Sequence, residues 1–253
     1  MKIAVLIREV VDLVEELSVE DGSLVRDYLM FRSSEFDDYA VQEALQLKDD
    51  GDTVDIFALD GNEIENLLYM AKARGADGLY KVVVDGHEVE QGLSSRATAL
   101  AFSKALAEKG YDLLVTGVQG VDDIDGPVAG HLGQFMNLPS LNVIVKMEKS
   151  GDKLAVFKEY AGGLLGEYEI ELPAVCGIQA SQTPPSYIPV SKVRKVKSDA
   201  SIEEITVSLD DLPLSPMNEF AVPESGSKAE MIGGDLSEQV AKVVELLSSN
   251  GVL

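Results

Sequence analysis

Tryptophan is absent, cysteine occurs once and histidine twice among 253 residues, and aromatic residues make up only 6 % of the chain. The lone Cys176 excludes an internal disulfide and gives no sign of an oxidising compartment. It lies in the apolar run Ala174-Val175-Cys176-Gly177-Ile178, where a thiol reads as a buried, inert group rather than a nucleophile. Basic residues are scarce: 21 Lys and Arg stand against 44 Asp and Glu, a formal net charge of −23. That deficit argues against binding nucleic acid through its phosphates and against docking on an anionic membrane. The size of the charge is equally compatible with plain solubility. No apolar run approaches the ~20 residues that span a bilayer. The opening Met1-Lys2-Ile3-Ala4-Val5-Leu6-Ile7-Arg8 is short and reaches a charge too early for a signal peptide. The expectation is a soluble, cytoplasmic chain, with an ordinary core drawn from its 45 % of hydrophobic residues.

What is present is a rhythm. Residues 2–7 read as a short strand buried on both faces. After a polar stretch, Phe36, Ala40, Ala44 and Leu47 recur at helical spacing, and Asp50-Gly51-Asp52 breaks the chain before a second strand, Thr53–Leu59. A helix over 63–73 ends at Gly75, a strand follows at Leu79–Val84, a helix at 93–109 and a strand at Asp112–Thr116. A Gly- and Asp-rich turn then opens another helix running to Met136. Four such alternations predict a parallel sheet covered on both faces, with ligand bound at the carboxyl ends of its strands. Those ends are Ile7–Arg8, Leu59–Gly61, Val84–Gly86 and Thr116–Gly117.

Beyond Pro139 the pattern changes. Leu141–Met147 and Ala174–Gln179 read as strands, with a hairpin over Leu154–Phe157 and Gly166–Leu172 between them. Residues 182–233 carry Pro184, Pro185, Pro189, Pro213 and Pro216 and read as an extended arm with little core of its own. The chain then forms a helix, Leu236–Leu247, with Leu236, Val240, Val243, Val244 and Leu247 in one apolar stripe. That stripe packs back on its own domain or embraces another chain. The division expected is a domain over 1–181 and an arm with a helix over 182–253.

The densest cluster with chemical potential is Gly117-Val118-Gln119-Gly120-Val121-Asp122-Asp123-Ile124-Asp125-Gly126-Pro127, lying between a strand and a helix. Its glycines allow close approach of a ligand, and free amides at the start of the helix can cradle a phosphate. It matches neither the Rossmann glycine fingerprint nor a P-loop, so a plain capped turn fits the pattern equally well. The aspartates lack the terminal Glu of a calcium loop, and no metal site is expected. His87 and His131 are far apart, no Ser or Cys has a nucleophile motif, and no acid–base pair stands out. The one basic run, Lys192-Val193-Arg194-Lys195-Val196-Lys197, reads as a charged edge strand or as a contact for acidic groups. It follows Pro185-Ser186-Tyr187-Ile188-Pro189-Val190, whose apolar side chains on a loop suit docking.

In this order, these features resemble the small, beta subunit of electron-transfer flavoproteins along nearly the whole chain. Arg8-Glu9-Val10-Val11-Asp12 is similar to that family's Lys-Arg/Gln-Val-x-Asp opening, and Ala40-Val41-Gln42-Glu43-Ala44 to its Ala-x-Glu-Glu-Ala helix. Ala71-Lys72-Ala73-Arg74-Gly75-Ala76-Asp77 resembles Ala-Leu-Ala-Met-Gly-Ala-Asp, and Gly117-Val118-Gln119-x-x-Asp122-Asp123 the nucleotide loop Gly-Lys/Arg-Gln-x-x-Asp. Gly162-Gly163 and Leu172-Pro173-Ala174-Val175 match the family's hairpin and following strand. The implied fold is a three-layer, Rossmann-type α/β domain, adenine nucleotide hydrolase-like, with a C-terminal extended arm and helix.

The resemblance implies a non-enzymatic electron carrier: a heterodimer with an alpha subunit that holds most of the FAD, and AMP or a second FAD bound in the beta subunit. Electrons would pass from a flavin dehydrogenase, such as an acyl-CoA dehydrogenase of fatty acid oxidation, to a quinone-reducing or other acceptor. Carried over by position, the cofactor-binding places are Leu6, Ser34, Glu35, Phe36, Asp37, Asp60, Gly117, Val118, Gln119, Asp122, Asp123, Asp125, Gly126, Pro127 and Val128. The partner-recognition segment maps to about Gln179–Lys197, with Tyr187, Lys192 and an apolar anchor at Val190 or Ile188. Where the family has Lys or Arg after the loop glycine this chain has Val118, and Ser34 stands in place of its Asn. Gly126 and Pro127 replace its polar phosphate ligands, leaving backbone amides. Two alternatives stand beside the simple carrier: a bifurcating flavoprotein whose beta-site FAD oxidises NADH, and a stand-alone adenine-nucleotide-binding module.

Overall fold

A computed structural model describes residues 1–14, 17–89, 92–123, 125–209, 220–223, 226, 229 and 231–253. In chain order, the first elements are β1 (Lys2–Ile7), β2 (Glu9–Val11), β3 (Val19–Glu20), β4 (Ser23–Leu24), β5 (Phe31–Ser33) and α1 (Glu35–Leu47). Next come β6 (Thr53–Leu59), α2 (Ile64–Arg74), β7 (Leu79–Val84), α3 (Ser95–Leu106), β8 (Leu113–Gly117) and α4 (Val128–Met136). The remainder is β9 (Ser140–Ser150), β10 (Lys153–Tyr160), β11 (Leu164–Glu171), β12 (Ala174–Ile178), α5 (Val190–Asp199), β13 (Glu203–Val207) and α6 (Leu236–Ser249).

The nine-stranded sheet runs β11-β10-β9-β12-β8-β1-β6-β7-β13. From β9 to β13 every neighbouring pair is parallel, and β10 and β11 add antiparallel at one edge. It is therefore a mixed, mostly parallel sheet. Burial alternates along β1: Ile3, Val5 and Ile7 pack with residues of α1 and α2, while Ala4 and Leu6 pack with residues of α3 and α4. Helices thus cover both faces, which is why β1 is apolar from Ile3 to Ile7. The chain moves from β1 to β6 on one side and later places β8 on the other, so the topological switch point lies between the carboxyl ends of β1 and β8.

Local signals explain most boundaries. Gly75 ends α2 at φ 132°, donating to Ala71 and Lys72. α3 is shorter than the 93–109 read from periodicity because Ser94 caps it, its hydroxyl accepting from Ala97 N at 3.3 Å. The helix stops where Glu108 and Gly110 take positive φ. The polar stretch after β1 is not unstructured: β2 pairs with β5, and β3 with β4 across Asp21-Gly22, both at positive φ.

The arm over 182–233 needs correction. Proximity in space divides the chain into Met1–Glu219 and Phe220–Leu253, so the division falls well after 181. The basic run is a helix and not an edge strand: on α5, Val193 and Val196 are half-buried and α5 lies against α2, while Lys192, Arg194, Lys195 and Lys197 are exposed. β13 then extends the sheet beside β7, with Val207 and Leu209 buried against the α3 side. Apolar spacing of three in 190–196, and of two in 205–209, is the physical reason; prolines before it do not prevent either. Pro213 and Pro216 lie outside the described residues.

In the second unit, α6 opens with a capping box formed by Asp235 and Glu238. Its Leu236, Val240, Val243, Val244 and Leu247 are all exposed. Among the described residues, no helix is long and apolar enough to cross a membrane.

Because β13 completes the β7 edge, a chain ending at 209 is expected to unfold in urea close to the full-length midpoint. One ending at 181 exposes β7 and the apolar surface under Val207 and Leu209, and should lose at least about 3 kcal/mol.

Candidate functional site

At the switch point two backbone donors have run past their ladders. The last β1–β8 pair is Leu6 with Thr116, and beyond it the side chain of Asp37, from the first turn of α1, takes over. Arg8 N donates to Asp37 Oδ2 at 2.8 Å and Gly117 N donates to Oδ1 at 2.9 Å. The carboxylate is 2 % exposed. A Cβ at Gly117 would lie 2.4 Å from Asp37 Oδ1 and 2.8 Å from its backbone nitrogen, so glycine is required by close approach. Burial pushes the Asp37 carboxyl up to about 7, against the pull of the Arg8 charge and the two amides. Ser34, just before α1, donates its amide to Arg8 O and its hydroxyl to Gln119 O, each at 3.3 Å.

The loop itself is organised by Asp123. Arg8 donates Nη1 to Oδ2 at 2.7 Å and Nη2 to Oδ1 at 3.2 Å; Ser95 Oγ donates to Oδ2 at 3.0 Å, and Gly120 N also donates to Oδ1. At the far end, Gly126 adopts φ +62° and its carbonyl accepts from Asn142 Nδ2 at 2.9 Å. Asn142 reaches it over Gly177, where a Cβ would collide with Asn142 Oδ1, and Val143 beside it has φ 68° at an irregularity in β9. α4 then begins after Pro127 with no capping side chain and no acidic residue in its first turn. The first amides of a helix lack intrahelical acceptors and carry the positive end of its dipole, so this end can receive a phosphate.

The sequence-derived residues therefore gather at one edge of the sheet but differ in what they can offer. Leu6, Ser34, Asp37, Gly117, Val118, Gly126 and Val128 are buried. Leu6 gives its side chain to the core, and Val118 pairs its amide with Ile178 O. Asp37 and Asp123 spend their oxygens on internal donors. Glu35, Asp122 and Asp125 are exposed, while Phe36, Gln119, Asp123 and Pro127 are half-buried in their residue surfaces. Asp60 follows β6 and lines a small cleft with His87, Val84 and Leu93. Among the described residues, no group of His, Cys, Asp or Glu is placed to hold a metal. The Cys176 thiol is fully buried, which pushes it up to about 12 and leaves it unreactive.

The residues expected to dock a partner lie elsewhere along the chain. Tyr187 is 86 % and Val190 63 % exposed, Ile188 is half-buried and Lys192 exposed. Their segment is tied to α1: Ser181 Oγ donates to Glu43 Oε2 at 2.8 Å, Gln42 Nε2 to Thr183 at 3.3 Å, and Ser186 N to Gln42 Oε1 at 3.3 Å. Sequence reasoning missed the side-chain work of Arg8, Ser95 and Asn142. For Asn142 the one signal was Gly177, a strand glycine that marks close approach.

The family model of the electron transfer flavoprotein domain matches residues 23–210. The chain is similar to three curated proteins, each named electron transfer flavoprotein subunit beta. It is 28 % identical over 263 residues to that of Methylophilus methylotrophus, covering 98 % of each chain. It is 26 % identical over 258 residues to that of Bacillus subtilis, again covering 98 % of each. Against that of Homo sapiens it is 25 % identical over 201 residues, 78 % of each chain.

Asp37→Asn sets an amide donor against one of two backbone N–H groups and should lower unfolding free energy by about 2 kcal/mol at pH 8. The wild-type carboxyl, raised from 3.8 to about 7, binds more protons folded than unfolded across that window. Its linked stability is full below the window and is lost as pH rises through it. The gap between wild type and Asp37→Asn should therefore widen from pH 8 to pH 5, measured by urea unfolding.

Proposed function

The chain belongs to the electron transfer flavoprotein family, and from that premise we propose that it is the nucleotide-binding and partner-docking subunit of a heterodimeric electron carrier. The observation that carries the reading is the glycine-lined loop 117–128 at the switch point, running into the uncapped start of α4. Bound FAD, held mainly by an alpha subunit, supplies the redox chemistry. This chain's task is to hold an adenine nucleotide, AMP or a second FAD, and to present the donor with a docking surface.

The phosphate faces the first-turn amides of α4, since Val118 turns inward and offers no cation. Phe36 on α1 and Asp60 just after β6 are the candidates for the adenosine. Gly117 and Gly120 keep the floor of the loop clear, because a Cβ at either would collide with Asp37 or Asp122. Docking falls to Tyr187 and Val190, exposed apolar groups beside the cations Lys192, Arg194, Lys195 and Lys197. An apolar anchor rimmed by cations fits an acidic surface around an apolar pocket, as on a flavin dehydrogenase that delivers electrons. The apolar stripe of α6 is the surface for the alpha subunit, because a 14-residue helix with every stripe residue exposed gains its stability from a second chain.

Co-expression with an alpha subunit, acid extraction and chromatography of the released nucleotides test the reading. One FAD with one AMP per heterodimer is the expected result. Two FAD would assign the bifurcating form, and a monomer that binds ATP without an alpha subunit would replace the proposal with a stand-alone module. Deleting residues 235–253 should abolish co-purification of the alpha subunit; retention of the pair at wild-type yield would refute the role of α6.

A further inference from the structure

Arg8 occupies an unusual position for a cation beside a phosphate-binding loop. Its backbone is fixed on both sides, the amide by Asp37 and the carbonyl by Ser34 N, so the side chain projects from a defined point. Both terminal nitrogens are turned toward Asp123, and the two side chains are only 9 % and 8 % exposed. The guanidinium also packs where a Cβ at Gly120 would stand, 3.0 Å from Nη2. Asp123 in turn gathers Gly120 N and Ser95 Oγ, so the pair links β1, α3 and the 120–123 turn.

We propose that Arg8 is a positioning residue for the nucleotide: it acts through Asp123 to hold the 120–123 turn in its receptive shape and does not itself touch the phosphate. This rests on the nucleotide reading above and deepens it. Three aspartates, Asp37, Asp122 and Asp123, surround this cation, and without it their mutual repulsion would open the turn. Breaking one partner of a buried, hydrogen-bonded pair leaves the other charge uncompensated, which is strongly unfavourable. The turn would then have to be ordered by the ligand, and affinity would fall by the cost of that ordering. A residue acting in this way affects every ligand that needs the loop, whether or not that ligand carries a phosphate.

The test uses the co-expressed heterodimer, freed of adenine nucleotide other than the alpha-subunit FAD, with four variants of this chain, Arg8→Gln, Arg8→Lys, Asp123→Asn and Arg8→Gln/Asp123→Asn, titrated calorimetrically with AMP and with adenosine. Arg8→Gln should weaken both ligands alike by about tenfold or more. Asp123→Asn should do the same, and the double variant should bind no worse than either single one, because a shared interaction is lost once. Arg8→Lys, which keeps one donor toward Asp123, should recover part of the loss. In the ligand-free chain, amide hydrogen exchange over 121–126 should quicken in Arg8→Gln while Thr53–Leu59 stays protected. Loss of AMP binding with adenosine unchanged would make Arg8 a direct phosphate ligand and overturn the proposal, as would additive effects in the double variant or unchanged exchange in the loop. If Arg8→Gln does not fold, Arg8→Lys with Asp123→Asn completes the same cycle. A wild-type heterodimer that takes up neither ligand refutes the nucleotide reading, and the exchange measurement then decides the positioning role alone.

Discussion

The carboxylate of Asp37 closes the gap where two neighbouring strands stop sharing a ladder. Parallel strands that diverge at a switch point leave backbone amides with no partner, and a buried N–H without an acceptor costs about as much as a lost hydrogen bond. Arg8 N and Gly117 N are such amides, and both are satisfied by one side chain from the first turn of α1. Placing an acid there is costly because it is fully buried. Two things offset that cost: the positive end of the α1 dipole and the guanidinium of Arg8. Once the carboxylate is present, Gly117 cannot carry a side chain, α1 cannot shift along the sheet, and the loop must leave β8 in the direction it takes.

The same helix also anchors the segment that follows β12. About one and a half turns after Asp37, Gln42 and Glu43 receive the residues that follow β12, through Ser181, Thr183 and Ser186. Glu43 also accepts from Met147 N at 2.7 Å, which fixes α1 against β9. The 117–128 loop and the segment after β12, more than fifty residues apart in sequence, are thus both referred to one rigid rod. Their separation is set by the 1.5 Å rise of a helix rather than by flexible connections.

How much of this was legible in the sequence depends on the range of the interaction. Thr53–Leu59 and Leu79–Val84 match their sequence reading to the residue, because each is a short, mostly apolar run, broken only by Asp55 in one and Lys81 in the other, and bounded by breakers. The loop was found from its glycines, and the reason for Gly117 emerged only with Asp37 80 residues earlier in the chain. Asp37 and Asp123, carried over by the resemblance as ligand contacts, have their oxygens hydrogen-bonded to internal donors, partners that lie far off in sequence. β13 and α5 were hidden by prolines and charge, and their apolar faces are narrow: Val193 and Val196 on one, Val207 and Leu209 on the other. Asn142 reaches Gly126 through a backbone irregularity at Val143, which leaves no pattern in a one-dimensional string.

Charge divides the surface in a way that net charge conceals. With 44 acids against 21 bases, a random placement would leave few purely basic segments, yet α5 exposes four cations and no acid until Asp199 at its last residue. Those cations are displayed because Val193 and Val196 face α2, so helical periodicity turns the charged positions outward together. An acidic body repels an acidic partner at distances beyond about 10 Å only weakly at ordinary ionic strength, whereas a basic helix beside an apolar anchor attracts it at contact range. α5 is therefore a basic face on an otherwise acidic chain, and at contact range it favours acidic groups where the remaining surface does not.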